Sequence, residues 1–182
     1  MRNYRVLENW LKKNASPKQY LFLYIDFKAL FPDLSPSAFK TLLSRSVKRD
    51  LLERICKGVY AYKESIPSNG LILFHVAALM RTCEFNYITL ETILSEYGAI
   101  SQIPINRITI MSSGRSHILS CGKYGTIEFI HTKQKPEQLV NSLCYDPLCN
   151  MWKASIKLAV KDMKNTHRNL DLIDRETLYE LI

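Results

Sequence analysis

Between residues 34 and 62 the sequence LSPSAFKTLLSRSVKRDLLERICKGVYAY sets short hydroxyls and long cations at helical spacing. Ser37, Lys40, Thr41, Ser44, Arg45 and Lys48 share one side of a helix, and Phe39, Leu42, Leu43 and Val47 share the other. Hydroxyls hydrogen-bond to phosphate and to base edges. Lys and Arg neutralise phosphate, and Arg also forks onto guanine. Such a face suits a helix that enters a DNA groove, with Lys48 and Arg49 on phosphates at its end. Arg54 and Lys57 follow on two short strands expected around Lys57-Gly58, from which they would reach the DNA backbone or minor groove. The competing reading is a basic face that is merely solvated, on a domain used for protein contacts.

The flanking elements must hold this helix. Ser35 can cap its free N–H groups, and Pro36 tolerates the first turn. Residues 4–13 place Tyr4, Leu7 and Leu11 on one face, with Val6 and Trp10 beside it, and Pro17 follows the end of that helix. Residues 20–25 are apolar and aromatic, either a strand pairing with the hairpin or the buried start of a helix. Asp26 is expected to cap a short helix over 27–31, which Pro32 ends. Helix, short helix, turn, basic helix and hairpin make a winged helix-turn-helix layout.

Charge is concentrated in the same region. Residues 1–64 hold 13 Lys and Arg against 6 Asp and Glu, a net +7 of the chain's +8. A one-sided basic domain is the electrostatic footprint of a nucleic-acid binder. With 182 residues, 47% hydrophobic and 23% charged, the chain has an ordinary globular composition. No apolar run is long enough to span a bilayer, so no membrane partner is expected. The N-terminus lacks a continuous apolar core and carries Glu8, unlike a secretory signal. Five cysteines at irregular spacing argue for reduced thiols, and the expected location is cytoplasmic.

The segment KESIPSNG at 63–70 marks a boundary, giving a DNA-binding domain at 1–66 and a second domain at 67–182. The second reads as α+β with a small sheet. Helices are expected over 71–81 and 90–97, the latter capped by Thr89. After Pro104, strands are expected over 107–112 and 126–131, with a third at 117–120 between them. Further helices are expected over 136–143, 150–165 and 175–182. The fold class of the whole is α+β.

Other chemistry is weakly represented. Ser112-Ser113-Gly114-Arg115-Ser116 could cradle a phosphate, but it lacks the P-loop pattern and reads better as a turn. His117, Cys121, His131, Cys144 and Cys149 match no standard zinc spacing. Cys144 with His131 is conceivable as nucleophile and base, without a third group to orient them. His75 reads as a core histidine. No catalytic residue, metal or cofactor is therefore expected. Lys153, Lys157, Lys161 and Lys164 form an apparent basic stripe on a late helix. A solvated face, a second DNA contact and a surface for an acidic partner compete to explain it.

Several segments together resemble AbiEi-type antitoxins. "LLSRSVKRDLLERICKGVYAY" resembles the end of their recognition helix and their wing. "YITLETILSEYGAISQIP", "RITIMSSGRS", "GTIEFIHT" and "KASIKLAVKDM" are similar to later segments in the same order. Asp50 stands where that family commonly has glycine, so a different turn into the hairpin is expected. The resemblance implies a bacterial antitoxin of a type IV toxin–antitoxin system linked to abortive infection. It implies repression of its own promoter through double-stranded DNA repeats. The chain itself is expected to be a monomer or weak dimer, with two copies on the DNA if the repeat is inverted. The resemblance also implies antagonism of a nucleotidyltransferase-like toxin without a stable complex. A stand-alone winged-helix regulator, with a ligand-sensing or dimerising C-terminal domain, is the alternative.

Overall fold

A computed structural model describes residues 2–100 and 106–181. Pro104, expected before the strand pair, and Ile182, expected to end the last helix, lie outside the described residues. The protein is α+β and divides into two compact units, Met1–Gly70 and Leu71–Ile182. The division falls at the far end of the KESIPSNG segment, beyond the expected position at 66.

The first unit runs α1 (Arg2–Asn14), β1 (Leu21–Leu23), α2 (Tyr24–Leu30), α3 (Pro36–Lys48), β2 (Leu52–Cys56) and β3 (Val59–Tyr62). Its antiparallel sheet has the order β1-β3-β2. Leu7 and Leu11 of α1 are fully buried with Phe22, Phe27, Phe39 and Leu43, whereas Val6 is exposed. Burying each such side chain is worth roughly 1.5–3 kcal/mol. Aromatic contacts tie this core together: the Trp10 ring meets Phe22 edge-on at 5.4 Å, and the Phe22 ring lies tilted 5.5 Å from Phe27.

Both readings of residues 20–25 hold in part, because the strand ends at Leu23 and α2 begins at Tyr24. Asp26 does not occupy the N-cap. It sits one turn in, where its carboxylate accepts the Leu23 N–H at 2.7 Å. A carboxylate at that position still satisfies an orphan donor. Gly58 O accepts the Tyr24 N–H at 2.8 Å, which ties the hairpin tip to the start of α2.

The second unit holds α4 (Ile72–Met80), β4 (Asn86–Ile88), α5 (Glu91–Glu96), β5 (Arg107–Ser112), β6 (His117–Ser120) and β7 (Thr126–His131). α6 (Pro136–Leu139), β8 (Leu143–Asp146), β9 (Met151–Ala154), α7 (Ile156–Asn165) and α8 (Arg175–Leu181) follow. A six-stranded mixed sheet runs β6-β7-β5-β4-β9-β8, so it is not small. β5 pairs with β7 and β4 with β9 in parallel, and the other pairs are antiparallel. Residues 151–154, expected near the start of a helix, instead form β9, and Leu143, expected to end one, opens β8. Asn150 closes the intervening turn at φ +54°.

Thr89 does not cap α5. Its hydroxyl donates to the buried Asp162 carboxylate at 2.9 Å, and α5 begins after Leu90, a buried residue at φ +57°. A leucine there stores roughly 1–3 kcal/mol of backbone strain. Gln134 donates to the other Asp162 oxygen at 3.2 Å. The buried Tyr87 hydroxyl faces the same carboxylate without reaching hydrogen-bond geometry. Burial pushes the Asp162 carboxyl above its ordinary range against these donors.

Candidate nucleic-acid interface

The interface is built on α3. Ser35 takes the N-cap, accepting the Ala38 N–H at 3.3 Å, and Pro36 follows at the first helical position. The apolar stripe of Phe39, Leu42 and Leu43 is buried, with Val47 half-buried, so the opposite side must face solvent. Ser46 is buried as well and discharges its hydroxyl on Leu42 O at 2.9 Å. Such a back-bond costs the helix little and leaves no orphan donor.

Ser37, Lys40, Thr41, Ser44, Arg45 and Lys48 are all exposed, and α3 carries no carboxylate. Two hydroxyls are locally engaged: Thr41 donates to Ser37 O at 2.9 Å, and Ser37 contacts Ser35 at 3.2 Å. Both keep lone pairs that can accept. Arg49 is exposed at the C-cap, and its guanidinium stacks 5.0 Å from the centre of the Tyr4 ring. Arg54 and Lys57 are exposed on β2 and at the hairpin tip, where Gly58 adopts φ +84° between the paired Cys56 and Val59. That conformation suits glycine and closes the turn in two residues.

Asp50 adopts φ +63°, the left-handed geometry that glycine supplies most readily, and pairs with Lys63 at 2.7 Å. Elsewhere in the unit Glu8 pairs with Lys12, and Asp26 accepts the Leu23 N–H at the start of α2. These carboxylates are thereby engaged away from the α3 face, whose cations keep their charge for a partner.

The exposed face has two flanks. Lys40, Ser44 and Lys48 border a concavity toward the hairpin, shared with Arg54 and Lys57. Thr41, Arg45 and Arg49 border another toward the start of α1, shared with Arg2 and Tyr4. Tyr24, Tyr60 and Arg2 join this surface without having been read from the sequence. Tyr60 is half-buried on β3 between Val59 and Ala61 and packs against the core, so no local alternation marks it in the sequence.

The other candidate groups are not assembled into sites. Ser112 is buried: its hydroxyl donates to Glu84 at 2.9 Å and accepts from Arg81 at 2.7 Å. Arg81 also donates to Arg115 O at 2.6 Å, and Ser116 accepts the His131 N–H at 2.9 Å, so the segment is a pinned turn. Three strands separate β7, which ends in His131, from β8, which holds Cys144. At strand spacing that is roughly 19 Å, too far for a nucleophile and its base. Among the described residues no group of three or more His, Cys, Asp or Glu could hold a metal ion. His75 is half-buried, with its ring nitrogen 2.7 Å from Leu148 O.

The lysine stripe is broken. Lys153 lies on β9 and pairs with Glu96 at 2.7 Å and Asp146 at 2.9 Å, while Lys157, Lys161 and Lys164 remain exposed on α7. Burial alone would raise the Asp146 carboxyl, but hydrogen bonds from Lys153 and the Leu148 N–H hold it at about 2.

No helix among the described residues is long and apolar enough to cross a membrane. Comparison with known protein families finds no match, and comparison with curated proteins finds none either.

Proposed function

We propose that the first unit is a winged helix-turn-helix that binds double-stranded DNA, with α3 in the groove and the β2–β3 hairpin as the wing. The chain is then a transcriptional autorepressor and the antitoxin of a type IV toxin–antitoxin system in the cytoplasm, acting without a catalytic step or cofactor. One observation carries the DNA half: the solvent face of α3 exposes three hydroxyls and three cations with no carboxylate, beside a hairpin that exposes Arg54 and Lys57. Phosphate contacts set orientation, and Ser44 and Arg45 are best placed to meet base edges. On an inverted repeat two copies bind, one per half-site, with no stable dimer required beforehand.

The antitoxin half rests on the segment resemblance and is assigned to the second unit. Two experiments test the reading. The intact chain should bind a duplex from upstream of its own gene more tightly than a scrambled duplex. Lys40→Ala should weaken both, whereas Arg45→Ala should cost about 1–3 kcal/mol on the specific duplex and relax specificity. Equal binding of the two duplexes would overturn autorepression. Co-expression should restore growth to cells making the product of the adjacent nucleotidyltransferase-like gene. Failure of rescue by chain that still binds the duplex would overturn the antitoxin half alone.

A further inference from the structure

Between α3 and the β2–β3 hairpin lies a cavity of about 790 Å³. Tyr24, Leu43, Val47 and Tyr60 form its floor, and Lys40, Lys48, Arg54 and Lys57 form its rim. Among the described residues no carboxylate lines it. The floor stands on the core of the unit: the Tyr24 ring meets Phe39 edge-on at 4.9 Å, and the Tyr60 ring meets Phe27 at 6.1 Å. Two tyrosine rings fixed in this way make a pre-formed apolar surface. Burial raises the Tyr60 phenol above its ordinary range, so it stays a neutral donor beside Arg54.

This combination exceeds what a DNA backbone needs. A sugar–phosphate strand satisfies the rim but offers the apolar floor only the edges of its sugars, and a small hydrated anion gains little from it. A ligand whose body is flat and apolar and whose end is anionic satisfies both. Apolar walls with a few convergent polar groups are the usual make-up of a small-molecule site.

We infer that the cleft between α3 and the hairpin binds an amphipathic organic anion, an aromatic carboxylate or sulfonate. Its ring lies on Tyr24, Leu43 and Tyr60, and its acid group sits among Lys48, Arg54 and Lys57. Occupancy takes up the cations that would meet phosphate, so anion and DNA exclude one another. The exclusion rests on the DNA-binding reading, whereas the anion site does not.

Calorimetric titration of the intact chain with 2-naphthoate and its neutral analogue 2-naphthamide tests the site. Saturable 1:1 binding of naphthoate is expected, with naphthamide at least 10-fold weaker. The Lys48→Ala/Arg54→Ala variant should bind naphthoate at least 10-fold more weakly. The Lys13→Ala/Lys18→Ala variant, which loses the same charge elsewhere on the unit, should stay within twofold. Thermal melts establish that both variants fold. No saturable binding, equal binding of acid and amide, or equal weakening in the two variants would each overturn the site. Saturating naphthoate should also raise the apparent Kd for duplex DNA at least 10-fold. An unchanged Kd overturns the exclusion. A chain that binds naphthoate but no duplex overturns the DNA reading and the exclusion with it, leaving the anion site standing.

Discussion

The salt dependence of DNA binding can be worked out from the α3 face before any operator is known. Six exposed cations border it: Lys40, Arg45, Lys48, Arg49, Arg54 and Lys57. Arg49 already stacks on Tyr4 and Arg45 is assigned to base edges, which leaves four to neutralise phosphates. Each neutralised phosphate releases about 0.9 counterion, so log K should fall against log salt with a slope of about −3.6 per protomer. Raising salt from about 50 to about 200 mM then weakens binding roughly 150-fold. Replacing Lys48 and Lys57 with alanine should bring the slope to about −1.8. Both side chains are exposed and away from the buried core, so the variant should melt with the parent. Fluorescence anisotropy of a labelled duplex over a salt series reads the slope directly. A parental slope shallower than about −2, or an unchanged slope in the double variant, would refute the reasoning, because these cations would then not face phosphate.

Other consequences concern the scaffold. Asp50→Val places a β-branched residue at φ +63° and should destabilise the first unit by about 1–2 kcal/mol in thermal melts, whereas Asp50→Gly should be neutral or stabilising. Gly125 sits at φ +119°, and a Cβ there would overlap the backbone of Asn106. Gly125→Ala should therefore cost the second unit about 2–4 kcal/mol by denaturant unfolding. Asp146 carries a folded pKa of about 2 against an ordinary 3.8. Its stabilisation is complete above the ordinary value and is lost as pH falls from there toward 2. Asp146→Asn should accordingly cost about 1 kcal/mol at neutral pH, and parent and variant should converge near the acid end of the titration.

What the sequence disclosed was what local chemistry controls. The start of α3 was readable because Ser35 bonds to a backbone group three residues on and Pro36 is fixed in φ. β7 was readable because Ile127 and Phe129 alternate inward, and β5 because Ile108 and Ile110 repeat at the same period, although both faces of β5 are buried. β8 and β9 were not, since β9 is held by parallel pairing to β4, far away in the chain, and its Met151–Ala154 run passes directly into the Ser155 cap of α7. Lys153 fell into a helical stripe for the same reason, although Glu96 and Asp146 hold it. Thr89 looked like a cap because the buried acceptor that takes its hydroxyl, Asp162, arrives from another element. All nine side chains proposed for the interface are exposed, but the Tyr24 and Tyr60 floor depends on packing against Phe39 and Phe27, which no local pattern reveals.

The central claim is that α3 and the hairpin face DNA, and site-specific photocrosslinking tests it most directly. A photoreactive residue at Ser44 or Lys57, both exposed in the first unit, should crosslink to a labelled upstream duplex. The same probe at Ile118 or Leu148, exposed in the second unit, should not. Crosslinks from positions 118 or 148 with none from 44 and 57 would contradict the account.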